Sequence, residues 1–281
     1  MLKIPSLQEL LEAGVHFGHK VSRGNPKMAP FIYSARDGVH IIDLTQSEKG
    51  LRETCEFVKT LGAEGKILLF VGTKKQAQPI IEEAAKKAGA PYLINRWIGG
   101  FLTNFEEISK NIKKLKELKE QKAKGEFEKY TKKEQLLLDR KIATLEKDLG
   151  GVLTLDNLPD AVFITDCARE NIAVKEAFKK GIQTVAITDT NCDPSLVEYR
   201  IPANDDATKS IKIIVETIAS AYGEGKRALE VKSEKEKVKK EKEEAFLKKE
   251  EEEITEEVAA EVAVAEEKIE KEEVEEAERK E

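Results

Sequence analysis

The sequence predicts an α/β fold built on a parallel, doubly wound sheet. Short apolar segments with the length of strands alternate with amphipathic segments that have the spacing of helices. The clearest strand is KILLFVG at residues 66–72, a continuous apolar run of the kind that helices cover on both faces. The same pattern returns from residue 161, so both halves of the chain are expected to build α/β structure.

The elements of the first half lie before residue 95. Ser6 and Glu9 have capping-box spacing, which predicts a short helix over residues 6–13. Residues 21–38 mix Gly, Pro and Asn with Arg and Lys, and this composition predicts an ordered loop. The other predicted elements are strands at 39–44, 66–72 and 91–94, a helix from 45 to about 61, and a helix capped by Thr73. Pro79 lies inside that last helix, which indicates either a kink or a later start.

A helical hairpin is predicted between the two halves. Its arms begin near Thr103 and Thr131, and Gly125 lies in the connection between them. Apolar residues recur at spacings of three and four in each arm, which is typical of the narrow seam of an antiparallel coiled coil. Arms of roughly 20 residues are about 25 to 30 Å long. We expect such a projection to reach a binding partner.

The second half is predicted to hold two more strands and to end in a charged tail. The strands lie at 161–166 and 182–189, with a helix between them that Gly181 ends, and a final helix covers about 206–222. Residues 226–281 carry 14 basic and 22 acidic residues, which leaves the preceding chain with a net charge of +2. A tail with so few large apolar residues cannot bury a core, and we expect it to be disordered or transiently helical.

The cysteine pattern and the lack of long apolar segments predict a soluble, cytoplasmic protein. Cys55, Cys167 and Cys192 form no C-x-x-C pair, so reduced thiols are expected. No apolar stretch approaches the roughly 18 residues of a membrane helix, and the first ten residues lack the pattern of a secretory signal.

The strand-to-helix turn VGTKKQ is the nearest approach to a phosphate-binding loop. It contains neither G-x-x-x-x-G-K-[ST] nor G-x-G-x-x-G, so a nucleotide cofactor is not supported. A contact with a nucleic-acid phosphate is favoured over a solvated helix start or a small-molecule phosphate. Asp166 and Asp189 end strands as the acidic residues of a receiver domain do, but capping of local turns is favoured. No catalytic residue is predicted, and a phosphate- or nucleotide-dependent α/β enzyme is the alternative function.

Basic residues in loops and on the first hairpin arm predict contacts with a nucleic-acid backbone. The single tryptophan either stacks on a base or sugar or packs at the base of the hairpin. For the lysines of the arm, a merely solvated face is an equal alternative. The candidate RNA-binding residues are Arg23, Lys27, Arg36, Lys74, Lys75, Arg96, Trp97, Lys110, Lys113 and Lys114.

Several long segments, in this order, carry a family resemblance: LLEAGVHFGHKVSRGNPKMAPFIYSARDGVHIIDL, FVGTKKQAQ, NRWIGGFLTNF, LPDAVFITDCARENIAVKEA, ITDTNCDP and IPANDDA. Over about residues 1–225 the chain resembles the bacterial ribosomal protein S2 family. The resemblance implies a flavodoxin-like three-layer α/β/α domain at 1–102 and 150–225, with a coiled-coil hairpin inserted at 103–149. The tail at 226–281 lies outside the core that the family shares.

The same resemblance implies the function and the partners. It indicates a non-enzymatic structural protein, without a required cofactor, that binds ribosomal RNA near the junction of head and body of the small subunit. The implied protein partners are neighbouring small-subunit proteins, including the messenger-binding ribosomal protein S1. The implied location is the cytoplasm, on the ribosome.

The stretch GVHFGH raises the question of a metal site. Gly14 ends the preceding helix, so His16 and His19 do not share a helix face, and only His19 is expected to be open. If the N-terminal segment folds across the carboxyl edge of the sheet, His19 meets three aspartates. The tentative ligand set is His19, Asp189, Asp205 and Asp206, which suits a structural Zn²⁺ or, less well, Mg²⁺. The alternative is that the aspartates cap turns and His19 donates to one of them.

Overall fold

A parallel five-stranded sheet forms the centre of the fold, in a computed structural model that describes residues 4–233. Its strands follow one another in the order β5-β4-β6-β7-β8. Numbered among themselves, they have the doubly wound order 2-1-3-4-5. Their bounds are β4 Leu68–Val71, β5 Tyr92–Leu93, β6 Ala161–Ile164, β7 Gln183–Thr188 and β8 Tyr199–Pro202.

Helices cover both faces of this sheet. The helices of residues 4–233 are α1 Leu7–Glu12, α2 Leu44–Ala63, α3 Gln78–Ala88, α4 Phe105–Ala123, α5 Lys132–Leu149, α6 Asn171–Lys180, and α7, which begins at residue 208 and is helical to residue 233. Side chains alternate between the faces along each strand, so Phe70 and Phe163 pack into one apolar cluster while Leu69 and Val162 pack into the other. The predicted three-layer α/β/α architecture is confirmed.

A second, antiparallel sheet of three strands lies before the parallel one. It has the order β1-β3-β2, with β1 Phe17–Lys20, β2 Ile32–Arg36 and β3 Val39–Ile42. Only the strand at 39–44 was expected from sequence, and the loop predicted over 21–38 instead contains two short 3-10 helices and β2. Most side chains of β1 and β2 are exposed, so these strands lack the alternation that reveals a half-buried strand.

Several other element limits differ from the sequence prediction. The capping box proposed at Thr73 is wrong, because α3 begins at Gln78 with Pro79 in its first turn. Proline is tolerated there, since the first amides of a helix have no partner within it. The strand β8 was missed because it has four residues and ends in Pro202, which fits its place at the edge of the sheet. Helix α7 continues past the predicted limit at 222.

The helices α4 and α5 run in opposite directions against each other. Ion pairs cross between them from Lys119 to Glu146 at 2.5 Å and from Lys122 to Asp139 at 2.9 Å. The apolar residues that both helices bury together are Ile108, Ile112, Leu115, Leu118, Ile142 and Leu149. Their coiled-coil packing and the domain limits at 102, 150 and 225 stay predictions. Residues 234–281, most of the predicted tail, lie outside the described residues.

One buried carboxylate, on Glu176 of α6, fixes the segment that leads into α4. Its oxygens accept hydrogen bonds from the indole Nε1 of Trp97 at 3.2 Å and from the backbone N–H groups of Gly100 at 2.8 Å, Leu102 at 3.0 Å and Thr103 at 3.2 Å. Burial raises the pKa of Glu176, but the hydrogen bonds from these donors lower it by more, so the net shift is downward. Glu176 therefore fixes the position of the segment from which α4 begins.

We expect Glu176→Gln to lower the free energy of unfolding by about 2–3 kcal/mol, since an amide presents an NH₂ group to donors that need an acceptor. Urea unfolding at neutral pH measures this change. The exposed neighbour on the same helix, Lys179→Gln, is the matched control, with an expected change within about 0.5 kcal/mol. Equal stability of the two variants contradicts the assignment.

Candidate functional site

The carboxyl ends of four parallel strands bring the strand-end side chains to one edge of the sheet. Thr73 and Lys74 follow β4, Asp166 follows β6 and Asp189 follows β7, while the turn after β8 supplies Asp205 and Asp206. The strand order reverses between β4 and β6, and ligands of doubly wound proteins bind at such a point. The chemistry of this edge therefore decides between a ligand site and an internal structural cluster.

The Lys74 ammonium lies among the carboxylates of this edge. Its Nζ is 2.6 Å from Asp206, 2.8 Å from Asp205 and 3.6 Å from Asp166, and its side chain is 13% exposed. Burial lowers the pKa of Lys74, but the hydrogen bonds to Asp205 and Asp206 raise it more, to about 12. Lys74 is thus a fixed positive charge inside the cluster, whereas its neighbour Lys75 is exposed.

His19 joins the cluster from the N-terminal segment. Its Nδ1 lies 3.1 Å from Asp189 and its Nε2 lies 3.3 Å from Asp206. The Asp189 carboxylate raises the pKa of His19 against desolvation, which lowers it, and the net shift is upward. His19 therefore lies between two carboxylates that favour its charged form, which agrees with the alternative that His19 donates to an aspartate.

Backbone contacts hold the N-terminal segment across the edge. The Asn204 N–H donates to the carbonyl of Val15 at 3.1 Å, and the His19 N–H donates to Thr190 Oγ1 at 2.9 Å. A Cβ at Gly18 would lie 2.6 Å from the Thr190 side chain, so only glycine fits here. The segment GVHFGH is therefore the part of the chain that closes the sheet edge, and burial lowers the pKa of His16 within it.

The predicted metal ligands come together only in part. One ligand atom each of His19, Asp205 and Asp206 lies within 4.8 Å of the others. Lys74 already occupies the space between these two aspartates, with its ammonium 2.8 Å from Asp205 and 2.6 Å from Asp206. Burial and the charges of Asp166 and Asp189 raise the pKa of Asp205 to about 7, against the opposing effect of Lys74. The arrangement gives no support to the zinc or magnesium prediction.

The turn after β4 does not have the geometry of a phosphate loop. Thr73 Oγ1 donates to the buried carboxylate of Glu170 and accepts a hydrogen bond from Arg169 Nε at 2.9 Å. Asp166 accepts from the Arg169 N–H at 2.8 Å, so it caps a turn as predicted. Thr73 and Lys74 are thus occupied by partners within the protein, whereas the exposed Lys75 is not drawn into these contacts.

The other predicted RNA-binding residues are spread over the surface rather than gathered at the edge. Arg23, Lys75, Lys113 and Lys114 are exposed. Three more are exposed and paired: Lys27 with Asp193 at 2.7 Å, Arg96 with Asp148 at 3.2 Å and Lys110 with Glu107 at 2.6 Å. Arg36 lies 3.8 Å from Asp37 and has an 85% exposed side chain.

Trp97 packs within the protein, which agrees with the packing alternative. Its ring centroid is 5.2 Å from that of Phe101, and its indole N–H donates to Glu176. Sequence reasoning missed Glu176 itself, although a glutamate between Ala173 and Ala177 on the apolar face of a helix was a signal of a buried acceptor.

Cys167 and Cys192 form a disulfide, contrary to the expectation of reduced thiols. Their Cα atoms are 6.0 Å apart although 25 residues separate them in sequence. Both follow neighbouring parallel strands, β6 and β7, and strand neighbours cannot be read from cysteine spacing. Cys55 is a free, buried thiol whose pKa burial raises to about 12.

Comparison with known proteins gives consistent matches over most of the chain. The family model described as ribosomal protein S2 matches residues 10–225. The small ribosomal subunit protein uS2 of Roseiflexus sp. (strain RS-1) is 51% identical over 228 residues, which cover 81% of this chain and 87% of that protein. The uS2 protein of a Nitratiruptor species is 51% identical over 231 residues, or 82% of this chain and 86% of that protein. Within residues 4–233, no helix has the length and apolar character needed to cross a membrane.

The stability that His19 contributes should depend on pH. Because its pKa is raised in the folded state, the contribution is complete below the unfolded value of about 6.5 and is lost as pH rises through the folded pKa. We expect His19→Gln to lower the free energy of unfolding by about 1–2 kcal/mol at pH 5.5, and by less at pH 9. Urea unfolding of both proteins across this range measures the difference.

His16→Gln is the matched control for this measurement. The pKa of His16 is lowered, so its effect has the opposite sign, and wild type loses stability relative to this variant as pH falls. Lys74 and the three aspartates that face His19 are present in every protein compared. Their titration therefore contributes to each unfolding curve, and the comparison is between curves that share it. A His19→Gln difference that does not vary with pH rules out the ion-pair role.

The position of Lys74 between Asp205 and Asp206 also predicts that purified protein holds no stoichiometric zinc. Lys74→Met, which removes the resident cation, is expected to increase zinc binding relative to wild type, and His19→Ala is the control that removes one ligand. Elemental analysis after dialysis measures the metal content. One zinc per wild-type chain that His19→Ala abolishes would restore the metal hypothesis.

Proposed function

Because the chain belongs to the ribosomal protein S2 family, we propose that it is a structural constituent of the small ribosomal subunit that binds small-subunit ribosomal RNA. The match over residues 10–225 is the observation that carries this proposal. The sheet edge supports it, since the position where an α/β enzyme binds its ligand is filled by Lys74 and its carboxylate partners. We place the protein on ribosomes in the cytoplasm, in a role that needs neither catalysis nor a cofactor.

The proposed RNA-binding surface consists of the exposed basic residues of the N-terminal loops and the turn after β4. Arg23, Arg36 and Lys75 have charges that are open to a phosphate backbone. The exposed ion pairs of Lys27 and Arg96 are weak enough for phosphate to replace the carboxylate. Lys74 and Trp97 are better explained by their internal contacts, and we leave them out of the surface.

The helical hairpin adds a second basic region. The ammonium groups of Lys114 on α4 and Lys141 on α5 interact across the hairpin, and this like charge lowers the pKa of Lys141. An anion between two neighbouring cations reduces their repulsion, and an RNA phosphate is such an anion. We propose that Lys113 and Lys114 contact RNA together with this pair.

The hairpin also presents apolar surface to protein neighbours. Leu136 and Leu137, near the start of α5, are 51% and 55% exposed. Exposed leucines on a projecting arm suit a protein contact better than a phosphate contact. We propose that neighbouring small-subunit proteins, including ribosomal protein S1, dock on this protein.

The proposal predicts that the protein fractionates with small subunits at low salt and is released as salt is raised. Sucrose-gradient sedimentation of cell extract, followed by immunodetection, measures both. Absence from the small-subunit fractions at low salt contradicts the function.

The double variant Arg23→Glu, Lys75→Glu is expected to lower occupancy of the small subunit at least tenfold, because two phosphate contacts become repulsions. Lys49→Glu, a charge reversal at an exposed lysine of α2 outside the proposed surface, is the matched control. Equal occupancy of the two would remove the N-terminal loops from the RNA interface.

A further inference from the structure

An aromatic side chain on the small antiparallel sheet is exposed without an evident structural role. Tyr33 on β2 is 78% exposed, the largest exposure among the large apolar and aromatic side chains of residues 4–233. A tyrosine this exposed contributes little to the apolar core. A strand that holds an aromatic ring in water leaves its face open to stack on another planar group. Tyr33 was not among the residues singled out from sequence.

A β-bulge directs this side chain outward. Ile32 pairs with Ile42 and Ser34 pairs with Ile41, so Tyr33 is the extra residue between two consecutive positions of β3. Bulges re-aim side chains and recur beside binding sites. The strand β2 is also the edge of its sheet, so no further strand covers it.

Basic residues flank the same sheet. Lys20 of β1 and Arg36 of β2 both lie opposite Val39 of the central strand, and directly opposed residues point to the same face. With strands about 4.8 Å apart, their backbones are about 10 Å from each other. Asp37, beside Arg36, is 93% exposed, and a pair this open at 3.8 Å competes poorly with a phosphate.

We propose that an unpaired nucleobase of small-subunit ribosomal RNA stacks on Tyr33 while Arg36 and Lys20 bind the adjoining phosphates. This inference rests on the RNA-binding function proposed above and makes it more specific, because it assigns a single-stranded nucleotide to one side chain. Stacking on an aromatic ring needs an unstacked base, which loops and bulges of RNA provide and continuous duplex does not.

The test uses small subunits from which this protein has been removed by high salt, with the full chain added back. Tyr33→Ala is expected to weaken rebinding about tenfold, the order of one lost base stack. Tyr33→Phe keeps the ring and is expected to bind as wild type does, whereas Tyr33→Leu keeps apolar surface without a flat ring and is expected to bind as Tyr33→Ala does. Tyr130→Ala, at a 45% exposed aromatic in the hairpin connection, is the matched control.

Salt dependence and chemical probing complete the test. Tyr33→Ala is expected to leave the slope of log affinity against log salt unchanged, while Arg36→Ala lowers it by about one. One RNA nucleotide is expected to become reactive in subunits rebuilt with Tyr33→Ala and to be protected with Tyr33→Phe.

The outcomes separate the two proposals. If wild type does not rebind, the RNA-binding function itself fails. If wild type rebinds and Tyr33→Ala rebinds equally well, the stacking inference is overturned while the function stands. Weaker rebinding of Tyr33→Ala with an unchanged RNA reactivity pattern also overturns it, because Tyr33 then contacts a protein neighbour.

Discussion

The ion pairs at the carboxyl edge of the parallel sheet fix how the strand ends and the N-terminal segment meet. Four carboxylates, from Asp166, Asp189, Asp205 and Asp206, converge where the strands end, and the Lys74 ammonium and the His19 imidazole pair with them. Loss of Lys74 would leave the buried Asp205 carboxylate without its cation, and breaking a buried pair in this way typically costs about 3–5 kcal/mol. Because His19 comes from the N-terminal segment, the same interaction that balances the strand ends also fastens the antiparallel sheet to the domain.

These ion pairs also limit which ligands the sheet edge can bind. Doubly wound proteins usually bind small ligands at the point where the strand order reverses, since loop amides and helix N-termini are open there. Here Thr73 is bound to Glu170 and Arg169, and Lys74 is bound to the aspartates. A crevice whose lysine and threonine are already bound within the protein offers neither of them to a substrate. Contacts with a macromolecular partner would therefore form on the outer surfaces, as expected for a member of a ribosomal protein family.

Sequence reasoning was successful where the determinants are local. The apolar run of β4, the capping box of Ser6 and Glu9 and the end of α6 at Gly181 each require only a few neighbouring residues, and each was predicted. The contacts that complete the site are not local. Lys74 and Asp205 are 131 residues apart, and Glu176 lies more than seventy residues from its donors, so neither pairing leaves a periodic signal. The Cys167–Cys192 disulfide was missed for the same reason.

The segment that was hardest to predict is also the one proposed to bind RNA, and both properties have one physical cause. A strand is recognised in sequence when one face is buried, because burial imposes apolar residues at every second position. Residues 33–36 of β2 are all exposed, so nothing imposes that alternation, and the bulge at Tyr33 breaks the register further. Side chains freed from packing are the ones available to a partner. The absence of a strand pattern between Gly24 and Gly38 is therefore what the proposed interface on a small edge-exposed sheet is expected to produce.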